Sequence, residues 1–550
     1  MEHFQSTSLS SFLKKLLKKK KIFTFLIMLV YTSIIWGQIA VTTNGSSGLA
    51  SSYSSLAAAI TALNAATITD PVIIYCSAGG TETFASPTAG NITATGTVTN
   101  TLTIQKSGSG ANPLVNAATG TSTTLDAIIK ITGGDYITID GIDVQENNVN
   151  TNTTTQMEFG YYIANASATN GAQYNTIKNC KITLNRTNTS TKAIYQNVAT
   201  TPTNASGANS YNKYQYITVE NTFNGIYIMG NLTYNDFNLE ISNCTVGANA
   251  ANDIGNGSAS QINGIRTAYS NNISVFNNEI RNITITSGGQ TLFGIYLYSL
   301  WGSANFVYNN KIHDLQTLST NVLSITWGIR ADIQSGAICN IYNNMIYALQ
   351  HGIFTPTSTM IINGIGVCLN GTGTGNVFYN SVSINEDEFP SCTAINIGTL
   401  GTINIKNNVF ANYSTSGTTS LRYCIYKQSG STLNSVNNND YYINTSGTNN
   451  YVGSYNSSNQ NTLTNWQTVT LKDAASLNIN PLFVSATDLH SSSPDLDEAG
   501  VTISTINGDA LNITNDIDGD IRNASIPDIG ADEFSIAPLN LCTGDRKAHV

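Results

Sequence analysis

The sequence predicts an all-β protein, a right-handed parallel β-helix with three-strand rungs and an asparagine ladder. Three observations predict this fold. A strand of the form Gly/Ala-Ile-X recurs between residues 159 and 429 at intervals of about 30 to 40 residues, a period typical of stacked supersecondary units. Asn-Asn-X-Ile follows many of these copies. Between them, apolar and polar residues alternate with a period of two, which indicates strands and not helices.

Residues 1–37 have the pattern of a signal peptide. A basic segment from Lys14 to Lys21 precedes an apolar stretch from Ile22 to Trp36, which fits a signal-peptide core and is short for a membrane span. We expect cleavage after Gly37 and a secreted or cell-surface protein, with the periplasm as a further destination and a retained anchor as the alternative. After signal cleavage we expect no integral membrane segment.

Residues 38–134 are predicted to form an N-terminal cap and the first strands. The segment from Ser52 to Asn64 has a helical pattern that places Leu56, Ala59, Ile60 and Leu63 on one face. A short helix there would cover the open end of a β-helix and its strand edges. The runs PVIIYC and NTLTIQK are predicted to be the first strands.

Residues 135–465 are predicted to contain the regular rungs, with a buried asparagine at one turn of each rung. Stacked carboxamides can hydrogen-bond to the rungs above and below, and asparagine tolerates left-handed backbone. Cys180 and Cys244 are predicted to occupy the same place in earlier rungs. The predicted ladder residues are Asn278, Asn310, Asn344, Asn380, Asn408 and Asn439.

The amino-acid composition limits the classes of partner that this protein is expected to bind. Charged residues make up 10% of the chain and the net charge is −9, and no basic stripe with interleaved aromatics follows the leader, so nucleic acid is not expected. Eight cysteines in 550 residues are too few for a disulfide scaffold, and no C-x-x-C spacing suggests a metal. We expect a monomer without a resident cofactor, apart from the calcium discussed next.

Residues 466–535 depart from the repeat and are predicted to close the β-helix, with residues 536–550 as a tail. Asp516, Asp518 and Asp520 place oxygen ligands at alternate positions around a glycine, as in part of a calcium loop. The distal Glu of a helix-loop-helix site is not at its spacing. The alternative is a solvated turn in which Arg522 pairs with Asp532 or Glu533.

These closing motifs carry a resemblance. The elements NPLFV, SP and DIDGDIR followed by DIGADEF, together with YSSLAAAITALN and YITIDGI near the start, resemble secreted bacterial right-handed β-helix proteins of Bacteroidetes type, in the pectate-lyase-like superfamily. The resemblance covers most of the chain after the leader. It implies a fold but not an activity, because this fold carries lyases, hydrolases, adhesins and proteins of unknown role.

The resemblance also implies where a ligand would lie. In pectate-lyase-like β-helices the groove runs along the outer face of the strand that here is Gly-Ile-X. Since side chains alternate along a strand, the residue after the core Ile points outward. A second outward position adds Met229, Tyr298 and Asp332. The predicted carbohydrate-binding ladder is Tyr162, Tyr195, Tyr227, Arg266, Tyr296 and Arg330.

Tyrosine faces can stack on sugars and arginine can bind a carboxylate or sulfate at two points, so the ladder indicates a polysaccharide of anionic type. The alternative is that the Tyr residues only pack on one another. If the ladder binds glycan, replacing Arg266 and Arg330 by alanine should abolish binding and leave thermal unfolding nearly unchanged.

Catalysis has weaker support. A glycoside hydrolase needs two carboxyl groups across the scissile bond, and this face offers only Asp332. A lyase needs a base and a neutraliser, for which Arg266, Arg330 and either Tyr296 or Tyr298 are the candidates, although arginine is a poor base. His313 and Asp314 are adjacent on a strand and are predicted to point to opposite faces.

The sequence therefore favours a secreted or cell-surface β-helix protein that binds polysaccharide in adhesion or glycan capture. A polysaccharide lyase or glycoside hydrolase acting in the same groove is one alternative. A structural surface spacer without ligand is the other.

Overall fold

The computed structural model describes residues 38–536 except 122–124, 258–260, 320, 322, 353–358, 387–389, 416–419, 447, 506, 507 and 510. The predicted signal peptide lies outside the described residues, as do residues 537–550 of the predicted tail. Three long sheets, here called sheets 1, 2 and 3, run the length of the described chain, and within each sheet nearly every neighbouring pair of strands is parallel. This arrangement is a parallel β-helix and confirms the predicted fold class.

From Val72 to Lys427, each rung contributes one strand to each sheet. Sheet 1 contains Ser52–Tyr53, Val41–Thr43, Val72–Ser77, Leu102–Ser107, Ile137–Asp140, Thr176–Lys178, Lys213–Gln215, Glu240–Ser242, Ser274–Phe276, Asn305–Tyr308, Ile338–Tyr342, Thr374–Phe378, Thr402–Lys406 and Thr432–Asn437. Sheet 2 contains Thr81–Thr83, Leu114–Asn116, Asp143–Gln145, Lys181–Thr183, Thr218–Glu220, Thr245–Val246, Glu279–Ile280, Lys311–Ile312, Met345–Ile346, Ser381–Ile384 and Val409–Asn412.

Sheet 3 carries the Gly-Ile-X strands. It contains Asn91–Ile92, Ala127–Thr132, Phe159–Ala164, Lys192–Asn197, Asn224–Met229, Gln261–Ala268, Thr291–Leu300, Ile325–Ile333, Met360–Val367, Ser391–Ile397, Arg422–Lys427, Asn450–Tyr455 and Ser458–Gln460. Smaller sheets join Asp236–Phe237 with Ser270–Asn271, Ile283–Ile285 with Leu315–Thr317 and Leu349–His351, and Phe483–Ser485 with Asp488–Ser491. A 3₁₀ turn covers Ala205–Gly207.

The core fills the interior of the helix with stacked aliphatic side chains. Ile265, Ile295 and Ile329 face one another on successive strands of sheet 3 and are fully buried. The glycine before each core isoleucine has a steric cause. A Cβ at Gly264 would lie 2.4 Å from Ile280 Cγ2 and 2.7 Å from the Gly294 carbonyl oxygen. The Gly-Ile repeat therefore reflects close approach between rungs.

The asparagine ladder forms as predicted at the turn between sheets 1 and 2. From Asn278 to Asn439, each Nδ2 donates to the Oδ1 of the next asparagine at 2.9–3.0 Å. The preceding residue takes left-handed backbone, as in Asn277 with φ of 55° and Asn309 with φ of 53°. Cys244 precedes the ladder in the stack, and its amide donates to Asn278 Oδ1 at 2.9 Å.

The N-terminal end is covered as predicted. Helix α1, Leu56–Ala65, buries Leu56, Ala59, Ile60 and Leu63 against the core. Its first amides are capped by a residue that the sequence pattern did not single out: Glu82 accepts from Leu56 N at 2.7 Å and from Ala57 N at 3.1 Å. A carboxylate at this position also complements the helix dipole. Val72–Ser77 and Leu102–Ser107, the predicted first strands, already pair in parallel.

A second helix, α2, spans Leu463–Thr470 next to the last strands of sheet 3. Its Trp466 is fully buried, packs on Tyr441 and Tyr455, and donates from Nε1 to Asp473 Oδ2 at 2.7 Å. The sequence pattern did not predict this helix. It occupies the C-terminal end of the solenoid in the way that α1 occupies the N-terminal end.

The chain after α2 folds back along the side of the solenoid. Tyr379 donates to the Val501 carbonyl at 2.9 Å, Asn343 donates to the Asn515 carbonyl at 2.8 Å, and Ala531 N donates to Ser381 Oγ at 2.9 Å. The segment predicted to close the β-helix thus lies over earlier rungs, on the turn beside the asparagine ladder.

Seven cysteines lie in the described residues, and all are buried and unbridged. Cys339 is a core residue, as expected from its inward position. Within the described ranges, no helix has the length and apolarity needed to span a membrane.

Candidate functional site

The predicted ladder lies in one row on sheet 3. The backbone pairing matches Tyr162 with Tyr195, Tyr195 with Tyr227, and Tyr227 with Arg266. It continues from Arg266 to Tyr296 and from Tyr296 to Arg330. These side chains stand outside the core, in small separate clusters, while the preceding isoleucines point inward.

The row is less open than the sequence suggested. Tyr162 is 1% exposed and Tyr296 is 4% exposed. Tyr195, Tyr227, Arg266, Tyr298 and Arg330 are half-buried. Phe293 and Trp327 pack against Tyr296, and Phe159 packs against Tyr162, so part of the row forms a second apolar layer outside the sheet.

Cations and rings alternate along this layer. The Arg266 guanidinium lies 5.0 Å from the Tyr227 ring centre, 5.4 Å from that of Tyr296 and 5.6 Å from that of Tyr298. It also donates to Tyr227 Oη at 2.6 Å and to Gln261 Oε1 at 2.9 Å. Both hydrogen bonds come from Nη1, and the buried Nε has no hydrogen-bond partner within the described chain. A ligand would compete with these two bonds and with the ring contacts.

Asp332, the predicted carboxylate of this face, is fully buried. Arg330 contacts it through Nε at 3.2 Å and Nη2 at 3.1 Å, and Tyr296 Oη donates to it at 3.0 Å. A bulge between Leu297 and Leu300 breaks the second outward row, so Tyr298 is not paired with Asp332. Burial, followed by the charge of Asp332, raises the pKa of Tyr296 well above its usual range, which makes this phenol a poor base.

A lysine that the sequence reasoning missed also lies in this layer. Lys192 Nζ lies 4.9 Å from the Tyr195 ring centre and 5.4 Å from that of Tyr227. Burial lowers the pKa of Lys192 to about 8, and the charge of Glu158 opposes that shift. Burial also raises the pKa of the fully buried Glu158 to about 7. Strict period-two alternation would place Lys192 on the inward side with Ile194. Because Ala193 and Ile194 both lie in the core, the alternation is interrupted there, and Lys192 lies in the outer layer over the Phe159 ring.

A groove of 550 Å³ opens on another side of the solenoid, where sheet 3 turns into sheet 1. The connections 198–212 and 230–235 form its walls, and none of its lining residues is charged. Its lining residues are Gln173, Tyr174, Ala205, Ser206, Ser210, Tyr211, Thr233, Tyr234, Asn235, Phe237 and Asn271. An open, polar groove with aromatic residues suits a hydroxyl-rich ligand.

A column of rings stands in this groove. Tyr136, Tyr174 and Tyr211 stack face to face with centres 4.7 and 4.3 Å apart, close to the spacing of the rungs. Each takes left-handed backbone, with φ between 54° and 62°. The Phe237 ring is turned 73° from that of Tyr211 and does not continue the parallel column. Tyr174 is 40% exposed.

The sequence contains a pattern that indicates this column of rings. An aromatic residue occurs just before four successive strands of sheet 1, in DYITI, QYNTI, SYNKY and DFNLE. The predicted aromatic row lies on the Gly-Ile-X strand alone. The stack in the turn was missed because side chains at left-handed positions do not follow the alternation of a strand.

His313 and Asp314 are in contact, contrary to the prediction that they point to opposite faces. His313 Nδ1 lies 2.7 Å from Asp314 Oδ2 and Nε2 lies 3.3 Å from Glu279 Oε1. Asp314 follows the strand Lys311–Ile312 and has a φ of 51°, so strand alternation does not apply to it. The imidazole also stacks on Tyr347 with centres 4.7 Å apart.

Asp516, Asp518 and Asp520 have separate environments. Asp516 Oδ1 accepts from the amides of Asp518 and Asp520, and its Oδ2 accepts from Glu533 N, so this carboxylate organises the turn. Asp518 faces His490 instead, at 2.7 Å. Arg522 pairs with Glu533 at 3.2 Å, one of the two partners expected for a solvated turn.

No protein-family model matches this sequence, and no curated protein matches it significantly. The structure establishes the parallel β-helix, and that fold hosts many unrelated functions. A function for this chain must therefore be argued from its own surfaces.

Proposed function

We propose that this chain is a secreted or cell-surface β-helix protein that binds polysaccharide, in adhesion or glycan capture, along the groove beside Tyr174, Tyr211 and Phe237. The observation that carries the proposal is the column of rings at an open groove of uncharged polar side chains, in which Tyr174 is exposed and Tyr211 is half-buried. Export is supported by the composition of residues 1–37. Kinship with pectate-lyase-like proteins of Bacteroidetes type is supported by the closing motifs DIDGDIR and DIGADEF.

The groove favours a neutral glycan over the anionic one first expected. Its named lining has no charged side chain, whereas Arg330 is paired with Asp332 and Arg266 with Tyr227 and Gln261. Because the faces of Tyr174 are covered by its neighbours in the column, it offers a ring edge and a hydroxyl to a sugar. Phe237, outside the parallel column, is the residue proposed to stack on a sugar ring.

The test is a panel of neutral and acidic polysaccharides, read for retention of the purified protein and for release of reducing ends or unsaturated uronates. We expect retention by a neutral polymer without products. Phe237→Ala should weaken binding at least ten-fold, and Tyr174→Phe should weaken it less, because it removes only the hydroxyl. Tyr216→Ala is the matched control, since Tyr216 is 56% exposed and outside the groove lining.

Other results would redirect the proposal. Loss of binding in Arg266→Gln with unchanged binding in Phe237→Ala would move the contact to the ladder. Release of products would make the protein a lyase or hydrolase, with Lys192 as the first residue to replace. If the protein is not retained by any polysaccharide and no products are released, glycan binding is contradicted and a structural spacer is favoured.

A further inference from the structure

Three residues far apart in sequence converge where the chain folds back after α2. His490 lies in the strand Asp488–Ser491, Asp518 in the turn 516–520, and Asp532 in the DIGADEF motif. One ligand atom from each residue lies within 4.8 Å of those of the other two. The group joins three separate stretches of the folded-back segment.

The imidazole of His490 is held from both sides. Its Nδ1 is hydrogen-bonded to Asp488 Oδ1, and its Nε2 lies 2.7 Å from Asp518 Oδ2. A carboxylate on one ring nitrogen is the usual device that orients a metal-binding histidine and leaves the other nitrogen as the ligand. Asp488 is placed to play that part.

Asp532 supplies the second, independent observation. It is 8% exposed, and among the described residues no donor is hydrogen-bonded to its carboxylate. Asp516 and Arg522 are its other charged neighbours, but Asp516 is occupied by main-chain amides and Arg522 by Glu533, Asn343 and two carbonyl groups. A largely covered carboxylate that accepts no hydrogen bond has lost part of its hydration, and a cation at the common point of the three ligand atoms would compensate its charge.

We propose that His490, Asp518 and Asp532 bind a divalent transition-metal ion of the Zn²⁺ class. One imidazole nitrogen and two carboxylate oxygens suit Zn²⁺, whereas Ca²⁺ and Mg²⁺ prefer all-oxygen sites. Asp518 and Asp532 balance the ion's charge, and the ion would share Asp518 with Lys311, which lies 3.5 Å from Asp518 Oδ1. The ion would clamp the folded-back segment together. This role does not depend on the proposed glycan binding.

The experiment begins with the purified full chain treated with EDTA and passed into metal-free buffer. Zn²⁺ and Ca²⁺ are then added separately, followed by calorimetry and thermal unfolding, and Co²⁺ is used as a visible-absorption probe of the ligands. We expect Zn²⁺ binding and a raised Tm, no such change with Ca²⁺ at the same concentration, and a Co²⁺ spectrum without thiolate charge-transfer bands.

Variants locate the ion. Asp532→Asn and His490→Gln should each remove one equivalent of bound Zn²⁺ and the rise in Tm. In EDTA, Asp532→Asn should unfold no earlier than the parent chain, because it removes a buried charge. Asp520→Asn and His313→Gln are the controls, one from the same acidic turn and one from the other histidine with carboxylate neighbours, and both should keep the stoichiometry of the parent.

Three outcomes would overturn the proposal. The first is an unchanged Zn²⁺ stoichiometry in folded Asp532→Asn and His490→Gln, and the second is no Zn²⁺ binding by the folded parent. Either result would mean that the three residues stabilise the folded-back segment through hydrogen bonds alone. Binding of Ca²⁺ that is lost in Asp520→Asn would assign the metal to the alternating aspartates instead.

Discussion

Arg330 donates two hydrogen bonds to Asp332, from Nε to Oδ1 at 3.2 Å and from Nη2 to Oδ2 at 3.1 Å, and the Asp332 carboxylate is fully buried. Arg330 itself is mostly covered, with 16% of its side chain exposed. The pair therefore holds the outer layer of sheet 3 together, and the expectation that Arg330 could be replaced without a change in unfolding does not fit this geometry.

We predict that Arg330→Ala lowers the free energy of unfolding by about 3–5 kcal/mol, because it strands a buried carboxylate. The double variant Arg330→Met/Asp332→Asn should recover more than half of that loss. Urea unfolding followed by tyrosine and tryptophan fluorescence measures both. Arg266→Ala is the matched control, since it leaves only neutral partners behind. Equal losses in Arg330→Ala and Arg266→Ala would contradict this account.

The asparagine ladder gives a second prediction. Asn344 donates to the carbonyls of Val307 and Tyr342 and to Asn380 Oδ1, and its own Oδ1 accepts from the amide and side chain of Asn310. Asn344→Ala removes all of these bonds inside the protein. We expect a loss of about 2–4 kcal/mol in the free energy of unfolding, since several buried groups lose their partners.

Asn434→Ala is the comparison for the ladder. Asn434 is exposed, and its side chain makes one bond, to Asn404 Oδ1 at 2.8 Å. Its replacement should change the urea midpoint little, by about 0.5 kcal/mol or less in free energy. Similar midpoints for the two variants would show that the stacked amides contribute no more than a surface pair.

Asp440 gives a pH-dependent prediction. It is fully buried, its Oδ1 accepts from Ile479 N at 3.0 Å, and within the described chain its Oδ2 has no partner. Burial raises the pKa of this carboxyl to about 8. Between the unfolded pKa of about 4 and this value, the folded state holds a proton that the unfolded state has lost, so this group makes stability fall as pH rises.

Replacing Asp440 by asparagine should remove this contribution while keeping an acceptor for Ile479. We expect nearly equal unfolding midpoints for parent and variant at about pH 4, and a more stable variant at pH 8, with a gap of at most ~1.4 kcal/mol for each pH unit crossed. Urea unfolding across this range provides the measurement. A gap that stays constant with pH would mean that Asp440 has an ordinary pKa in the folded protein.

The sequence predicted the structural features that depend on the repeat period and on local backbone geometry. The repeat and the alternation of side chains placed Tyr162 through Arg330 in the observed register, and the Asn-Asn turns placed the ladder, because both follow from backbone geometry within one rung.

The sequence could not predict which outward-pointing side chains are covered by their neighbours. Tyr296 and Asp332 are buried because Trp327 and Arg330 pack over them, and an alternating pattern distinguishes inward from outward but not covered from open. His313 and Asp314 were placed wrongly because one left-handed residue ends the alternation. The meeting of His490, Asp518 and Asp532 depends on a fold-back that no local pattern encodes.

The two ends of the solenoid also bear on assembly. Sheet 1 ends with Val41–Thr43 followed by Ser52–Tyr53, and sheet 3 ends with Ser458–Gln460, each paired antiparallel with the strand before it, while α1 and α2 lie at the corresponding ends. A bare end of a parallel stack is a template on which a second copy can continue the same register. Here the terminal strands of sheets 1 and 3 are only two and three residues long and each contacts a helix, so they offer a second copy little backbone to pair with. We therefore expect the described solenoid to resist end-to-end polymerisation into fibres.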